Sequence, residues 1–488
     1  MNTTAFIRAT RPISPFSGVA TVAYAALAGG LGWGIRGQYG HETGAMMAGL
    51  LVSLVLVLRC GSHLPPWAAI RAVAMGTVAM GFGGSETYGQ TIGLTQDAPL
   101  VGNAEALRWG LLGLSIKGAL WIGFAGLFLG MGLGGVRYRG REILLLLLSF
   151  PLLQWIGTHF VNEPFDPDNH VLPRLYFSDS WQWEPGSDLK PRREIWAGLL
   201  LALAGGMAWT GFWKRDALAR RLAGWGMLGG AVGFPLGQCL QSYHAWHPTR
   251  FRTGVWQHLD PNMNWWNWME TTFGCVMGFL LAFGLLRNLA RIRAPKVDRV
   301  DWLPDPISWV LLAVHLVFLI LEEFASIRFF NVFYDPGFHL GLIPMLLATS
   351  GRNMAAWVAF VVTAVPIAGK TLERLAFEEP VVSLSTAVVA CALVPLAWTA
   401  ALAWSWRETD DFGPSTAGAP ERLAVALGAN ALLYFGLNSA FFRFPWPWET
   451  WTSRTPNFLF YSLALLVLGI LSLRTWAKPP DAKPGRRR

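Results

Sequence analysis

Glu42 and Glu270 each open an apolar run, each is followed by threonine, and each lies 17 residues before an arginine, Arg59 and Arg287. A carboxylate at the end of a membrane helix can exchange a proton, pair with a cation or bind a sugar hydroxyl. Beside the first glutamate, Arg36, His41 and Glu42 make the densest charged cluster of the early chain. Imidazole and carboxylate suit general acid–base work, and a guanidinium suits an anionic group such as phosphate. An Arg36–Glu42 ion pair closing a turn is the simpler alternative. Upstream of each glutamate runs a glycine-rich stretch ending in Gly-Gln, Gly32 to Gln38 and Gly233 to Gln238. A fainter third copy has Gly89-Gln90 before it and Lys117 standing 20 residues before Arg137. Lys117 holds the place of glutamate in the other copies, so it either neutralises Glu42 or Glu86 across the bundle or meets a substrate anion.

The elements that position these groups are membrane helices. With 488 residues, 53% hydrophobic, 14% charged and mean hydropathy +0.37, the chain is too apolar for a soluble protein of its size. Apolar runs of the length needed to cross about 30 Å of hydrocarbon recur throughout. The expected fold is all-α, a polytopic helical membrane bundle of about 14 spans (12 to 14) with a parallel internal repeat of hairpins. The weakest signal among these spans is the short Phe338 to Thr349, while Trp67 to Gly84 and Leu222 to Gln241 read as ordinary spans. A change of character near Arg299 separates block 1–299, with the repeats and eight spans, from block 300–488, with six spans and a basic tail ending in Arg486 to Arg488. Arg8 and Arg11 precede the first run, which continues into the glycine motif without a small-residue cleavage site, so no cleaved signal peptide is expected.

The net charge of +9 is a topology signal. With both termini in the cytoplasm, most basic residues fall on the inner side and most acids on the other, which points to an inner-membrane protein and away from nucleic acid. Counting back from the first inner basic residue, Glu42, Lys117, Glu194 and Glu270 lie 17 to 20 residues away. At about 1.5 Å per residue that is roughly 26 to 30 Å, the outer headgroup boundary. Helices running outward bring Gln38, Glu86 with Gln90, His159, Gln238, Glu322 with Glu323, and Asn438 to a similar level. The expected acid–base groups are Glu42, His41, Glu86 and Glu270. The expected substrate-binding groups are Arg36, Gln38, Gln90, Lys117, His159, Gln238, Glu322 and Asn438.

Other groupings are weaker. His244 and His247, with His258 and Asp260 in the same loop, have ligand types for zinc, and Asp166 to His170 offers oxygens for a divalent cation; loops rich in His, Trp and Pro serve equally as interface turns, so no metal is assigned. His159 with Glu163 reads as a site pair or a cap, and Glu322, Glu323 and Arg328 as a mixture of site and ion pair. Four scattered cysteines imply no disulfide framework. Most of the 26 tryptophans read as interfacial anchors, among them Trp446 and Trp448 in an aromatic outer turn. No nucleotide-binding loop, nucleophile elbow or kinase signature is present, and the pattern points to no particular cofactor. In its outer-face acids the chain is similar, by class only, to polytopic sugar transferases using polyprenyl-phosphate donors, though its first outer turn is tight where theirs is long.

Polar residues are sparse in the inner helix halves, with Thr21, Thr77, His315 and Asn430 the main exceptions. This favours chemistry at the outer face: a transferase-class enzyme whose partners are membrane lipid and a small polar or lipid-linked substrate. A secondary transporter (permease) for a small polar solute, with a carboxylate to couple protons, is the alternative, since duplication and glycine-broken helices are usual in permeases. A sensor or assembly partner is the third reading. No protein partner can be named from the sequence.

Overall fold

The computed structural model describes residues 15–86, 88–178, 181–186, 188, 190–294, 303–325, 338–350, 354–407, 418–445 and 449–477. Arg8, Arg11, Arg299, Arg328, Trp446, Trp448 and Arg486 to Arg488 lie outside these residues, as does the boundary between blocks 1–299 and 300–488. Among the described residues the chain is all-helical, with one isolated β-bridge between Asp166 and Val171.

The helices are α1 Pro15–Ile35, α2 Thr43–Cys60, α3 Pro66–Gly83, α4 Gly89–Gln96, α5 Ala104–Leu133, α6 Gly140–Val161, α7 Trp196–Trp213, α8 Ala217–Trp246, the single turn α9 Trp256–Leu259, α10 Trp265–Leu286, α11 Asp305–Ala325, α12 Phe338–Ser350, α13 Met354–Glu378, α14 Leu384–Ser405, α15 Ala419–Phe442 and α16 Thr455–Trp476. Their ends follow from local chemistry. Asn103, Asp216 and Asn264 accept hydrogen bonds from backbone amides at the starts of α5, α8 and α10. Gly40, with φ of +87°, turns the chain between α1 and α2 in a conformation that L side chains rarely adopt.

Among the described residues, eleven helices are long and apolar enough to cross a membrane: α1, α2, α5, α6, α7, α10, α11, α13, α14, α15 and α16. The three remaining expected spans, α3, α8 and α12, fall outside that set. α12 is short at 13 residues, while α8 dilutes its apolarity with Arg220, Arg221, Gln238 and Gln241. α3 packs small residues inside the bundle and carries the half-buried Arg71, and a helix surrounded by protein needs no lipid-soluble face.

Six helices close into a ring, α1 beside α2, then α3, α5, α8 and α10, which returns to α1. Two seams of this ring are glycine contacts. A Cβ on Gly29 would overlap the carbonyl of Gly274 across α1 and α10, and a Cβ on Gly230 would overlap that of Gly118 across α5 and α8. Such seams bring backbones close enough for packing to hold helices together where the hydrophobic effect is absent. The α15–α16 pair leans on α1 and α2, the α6–α7 pair on α5, and α12 and α13 on α3. Outer helices turn bare apolar groups outward, such as Leu145, Leu148 and Leu152 of α6.

The two ends of the ring differ. At one, Arg59 donates to the Ser17 hydroxyl (2.7 Å), Lys214 pairs with Glu142 (3.0 Å) and Arg221 donates to Asn288 (3.2 Å). This is the basic end. The opposite end carries Arg36, His41, Glu86, Tyr88 and Glu270.

Candidate functional site

Arg36 closes α1 as its helix tightens into a 3-10 turn, and Glu270 lies one turn into α10. The α1–α10 seam brings the two together: Arg36 Nη2 meets Glu270 Oε1 at 2.9 Å, each side chain 1% exposed. Two further donors converge on that carboxylate, and Arg36 has two more acceptors. The Tyr88 hydroxyl donates to the same oxygen (2.9 Å), Trp266 Nε1 donates to it at 3.3 Å, and Arg36 also donates to the Tyr88 oxygen and to the carbonyl of Gly40 (3.1 Å). The guanidinium sits over Trp33, Tyr88 and Trp121, 5.1 to 5.4 Å from their ring centres. Aromatic faces and one carboxylate thus replace the water that an arginine ordinarily keeps.

His41 packs edge-on to Tyr88, ring centres 4.9 Å apart. Burial, and after it the Arg36 guanidinium, pushes its imidazole down to about 3, so it is a neutral base at ordinary pH. Burial likewise raises the Tyr88 phenol, which keeps its proton for Glu270. Three buried atoms of this cluster have no hydrogen-bond partner among the described residues: Arg36 Nε, Glu270 Oε2 and His41 Nδ1. Buried polar atoms are rarely left so, and one donor and an acidic acceptor beside an imidazole make a reactive set. Gly37 borders it, since a Cβ there would stand 2.9 Å from Glu270 Oε2.

A second cluster surrounds Lys117 of α5. Its ammonium pairs with Glu194 (2.8 Å) and Glu86 (3.3 Å) and donates to the Thr91 hydroxyl (2.8 Å). Glu194 also accepts from the Ser178 hydroxyl (2.8 Å) and the Phe177 amide (2.9 Å), and Glu86 from the Ile195 amide (3.0 Å). Two carboxylates share one ammonium. Burial pushes the Glu86 carboxyl up to about 7 against the pull of Lys117, with Glu194 adding to the rise. Glu86 and Tyr88 stand two residues apart on one connection, and that connection ties the clusters together.

The other expected residues are dispersed. Gln38 is exposed and Glu42 half-buried at the start of α2. Gln90 reaches the long connection between α6 and α7, donating to the Lys190 carbonyl and accepting from the Arg192 amide, each at 3.0 Å. Gln238 donates to Thr95 (2.7 Å), and Asn438 to the carbonyl of Ile35 (3.0 Å), a role in packing α15 on α1. His159 is exposed and stacked on Trp155, and Glu322 is half-buried on α11, whose neighbour Glu323 pairs with Lys370 of α13 at 3.0 Å. His244 pairs with Asp260 (2.8 Å) and stacks on Trp265, while His247 lies against Tyr243 and His258 is exposed. Among the described residues no three His, Cys, Asp or Glu side chains group as metal ligands.

Sequence reasoning missed Tyr88, Trp33, Trp121 and Trp266, the walls of the Arg36 site. Trp33, inside the first glycine motif, and Trp266, in a tryptophan cluster read as an interfacial anchor, carried the local signal. No family model, characterised protein or solved structure matches the chain.

Proposed function

We propose that the protein is a transferase of the inner membrane, acting at the outer headgroup level on a lipid-linked or glycan-type substrate. The observation that carries this reading is the set of unsatisfied atoms, Arg36 Nε, Glu270 Oε2 and His41 Nδ1, gathered at the end opposite the basic rim. Excess arginine and lysine mark the cytoplasmic side, so the site faces outward and both termini lie inside. A phosphate arriving at Arg36 competes with Glu270 for the guanidinium, because arginine binds either anion with a planar fork. The freed carboxylate, or neutral His41, then takes the proton of an acceptor hydroxyl. As that oxygen bonds to the transferred group, the bond to the lipid phosphate breaks and Arg36 neutralises the leaving anion. Glu42 and Glu86 serve as further acid–base groups at the rim, with Lys117, Gln38, Gln90, His159, Gln238, Glu322 and Asn438 as polar contacts. In the same reading, α3, α8 and α12 complete 14 spans, and α1–α2 with α8–α10 form a parallel repeat, each glycine-rich helix leading to a Gln and then to Glu-Thr.

A proton-coupled permease is the second reading, and the buried Lys117, Glu86 and Glu194 favour it, since one shared proton near neutrality could be loaded and released. One experiment separates the two. The purified chain in proteoliposomes is given total membrane lipid, and the lipid fraction is followed for a covalent change. Turnover in the wild type and its loss by at least a hundredfold in Glu270→Gln is the expected result. Saturable solute uptake with no altered lipid would replace the enzyme by a transporter.

A further inference from the structure

At the basic end, α8 and α10 part to leave an open groove of about 470 Å³ lined by Arg221, Gly224, Trp225, Leu228, Arg287 and Asn288. Both arginines are exposed, and among the described residues neither is ion-paired to a carboxylate. Arg221 donates to Asn288, itself buried and anchored to the carbonyl of Gly284 (2.8 Å), while the Arg287 guanidinium lies over Phe283 at 5.6 Å. The two positive charges are thus set on a fixed floor rather than left on free side chains. Gly224 borders open space in the groove, where an added Cβ would meet nothing within 4 Å. From the groove an apolar strip of Leu228, Phe279 and Phe283 continues outward along the same two helices.

We infer that this groove binds one anionic phospholipid of the inner leaflet, its phosphate between Arg221 and Arg287 and an acyl chain along the Leu228–Phe279–Phe283 strip. Two unpaired guanidiniums match a headgroup with net negative charge, and the apolar strip matches what is covalently joined to it. A free phosphate would use only the first half of the site. The groove lies at the far end from Arg36 and Glu270, so the inference does not depend on the proposed activity.

The test uses the full-length chain in detergent, titrated with phosphatidylglycerol and read by native mass spectrometry. One tightly retained phosphatidylglycerol per chain is expected, with phosphatidylcholine held at least tenfold more weakly. Arg221→Gln with Arg287→Gln should weaken retention at least tenfold. Arg139→Gln with Arg141→Gln, exposed charges at the same end but outside the groove, should leave it unchanged. Gly224→Leu fills the groove without altering charge and should also release the lipid. Equal retention in the Arg221/Arg287 variant, or equal loss in the Arg139/Arg141 control, would overturn the inference. So would displacement of the lipid by millimolar inorganic phosphate, which would identify a free-anion site.

Discussion

Arg36 and Glu270 solve each other's burial. A guanidinium and a carboxylate in a bundle interior each lose several kcal/mol of hydration, and a well-made pair with extra donors recovers most of it. Removing only one partner leaves the other uncompensated. Glu270→Gln should therefore lower unfolding stability in detergent by about 3 to 5 kcal/mol. Arg36→Met with Glu270→Met should regain most of that loss while remaining inactive. Glu42 is only half-buried at the head of α2, where solvent screens its charge, and Glu42→Gln should shift stability by less than about 1 kcal/mol. A Glu270→Gln protein as stable as the wild type would show that the pair contributes nothing to the fold. The sequence treats the two glutamates as equivalents because their local contexts match. Their environments diverge because Glu270 faces α1 across a seam, and that neighbour is 234 residues away in the chain.

At the level of helices, the glycine seams are the most constrained contacts in the ring. Gly230→Ala forces α8 away from the Gly118 carbonyl of α5, and overpacking of this kind typically costs about 1 to 3 kcal/mol. Gly469→Ala in α16 meets open space, and should be neutral or slightly stabilising because alanine favours helix. Thermal midpoints of the two variants, compared in one detergent, should fall for Gly230→Ala alone; equal midpoints would mean that the seam can relax. Helix existence was legible in the sequence because a bilayer demands long apolar runs, and α2, α5 and α10 announce themselves that way. α3 and α8 read as spans too, yet fall outside the set long and apolar enough to cross, since their polar or small residues are accommodated by neighbours absent from their own segments. Partnership is less legible still. Spacing sets Lys117, Glu194 and Glu270 at one depth, but depth does not say that Lys117 meets Glu194 and Glu86 while Glu270 meets Arg36. Those choices depend on the order of helices around the ring.

Charge differs between the ends of the ring: Glu86, Glu194 and Glu270 lie buried with their partners at one, and Arg221 and Arg287 are exposed at the other. The basic end should face the cytoplasm. In a version lacking Cys60, Cys239, Cys275 and Cys391, an impermeant thiol reagent should label a single cysteine at Gln38 from outside and one at Arg221 only from inside. Labelling of both from one side would reverse or break this topology. Ring closure also has a history in time. Synthesis at roughly 5 to 20 residues per second puts on the order of 10 to 50 s between the emergence of Arg36 and that of Glu270. During that interval Tyr88 and Trp121 emerge, but the Arg36 guanidinium still lacks the carboxylate that balances its charge. A half-made copy is thus chemically marked by a charge that the finished one conceals, and the arrival of α10 is the moment at which a nascent chain ceases to resemble a damaged one.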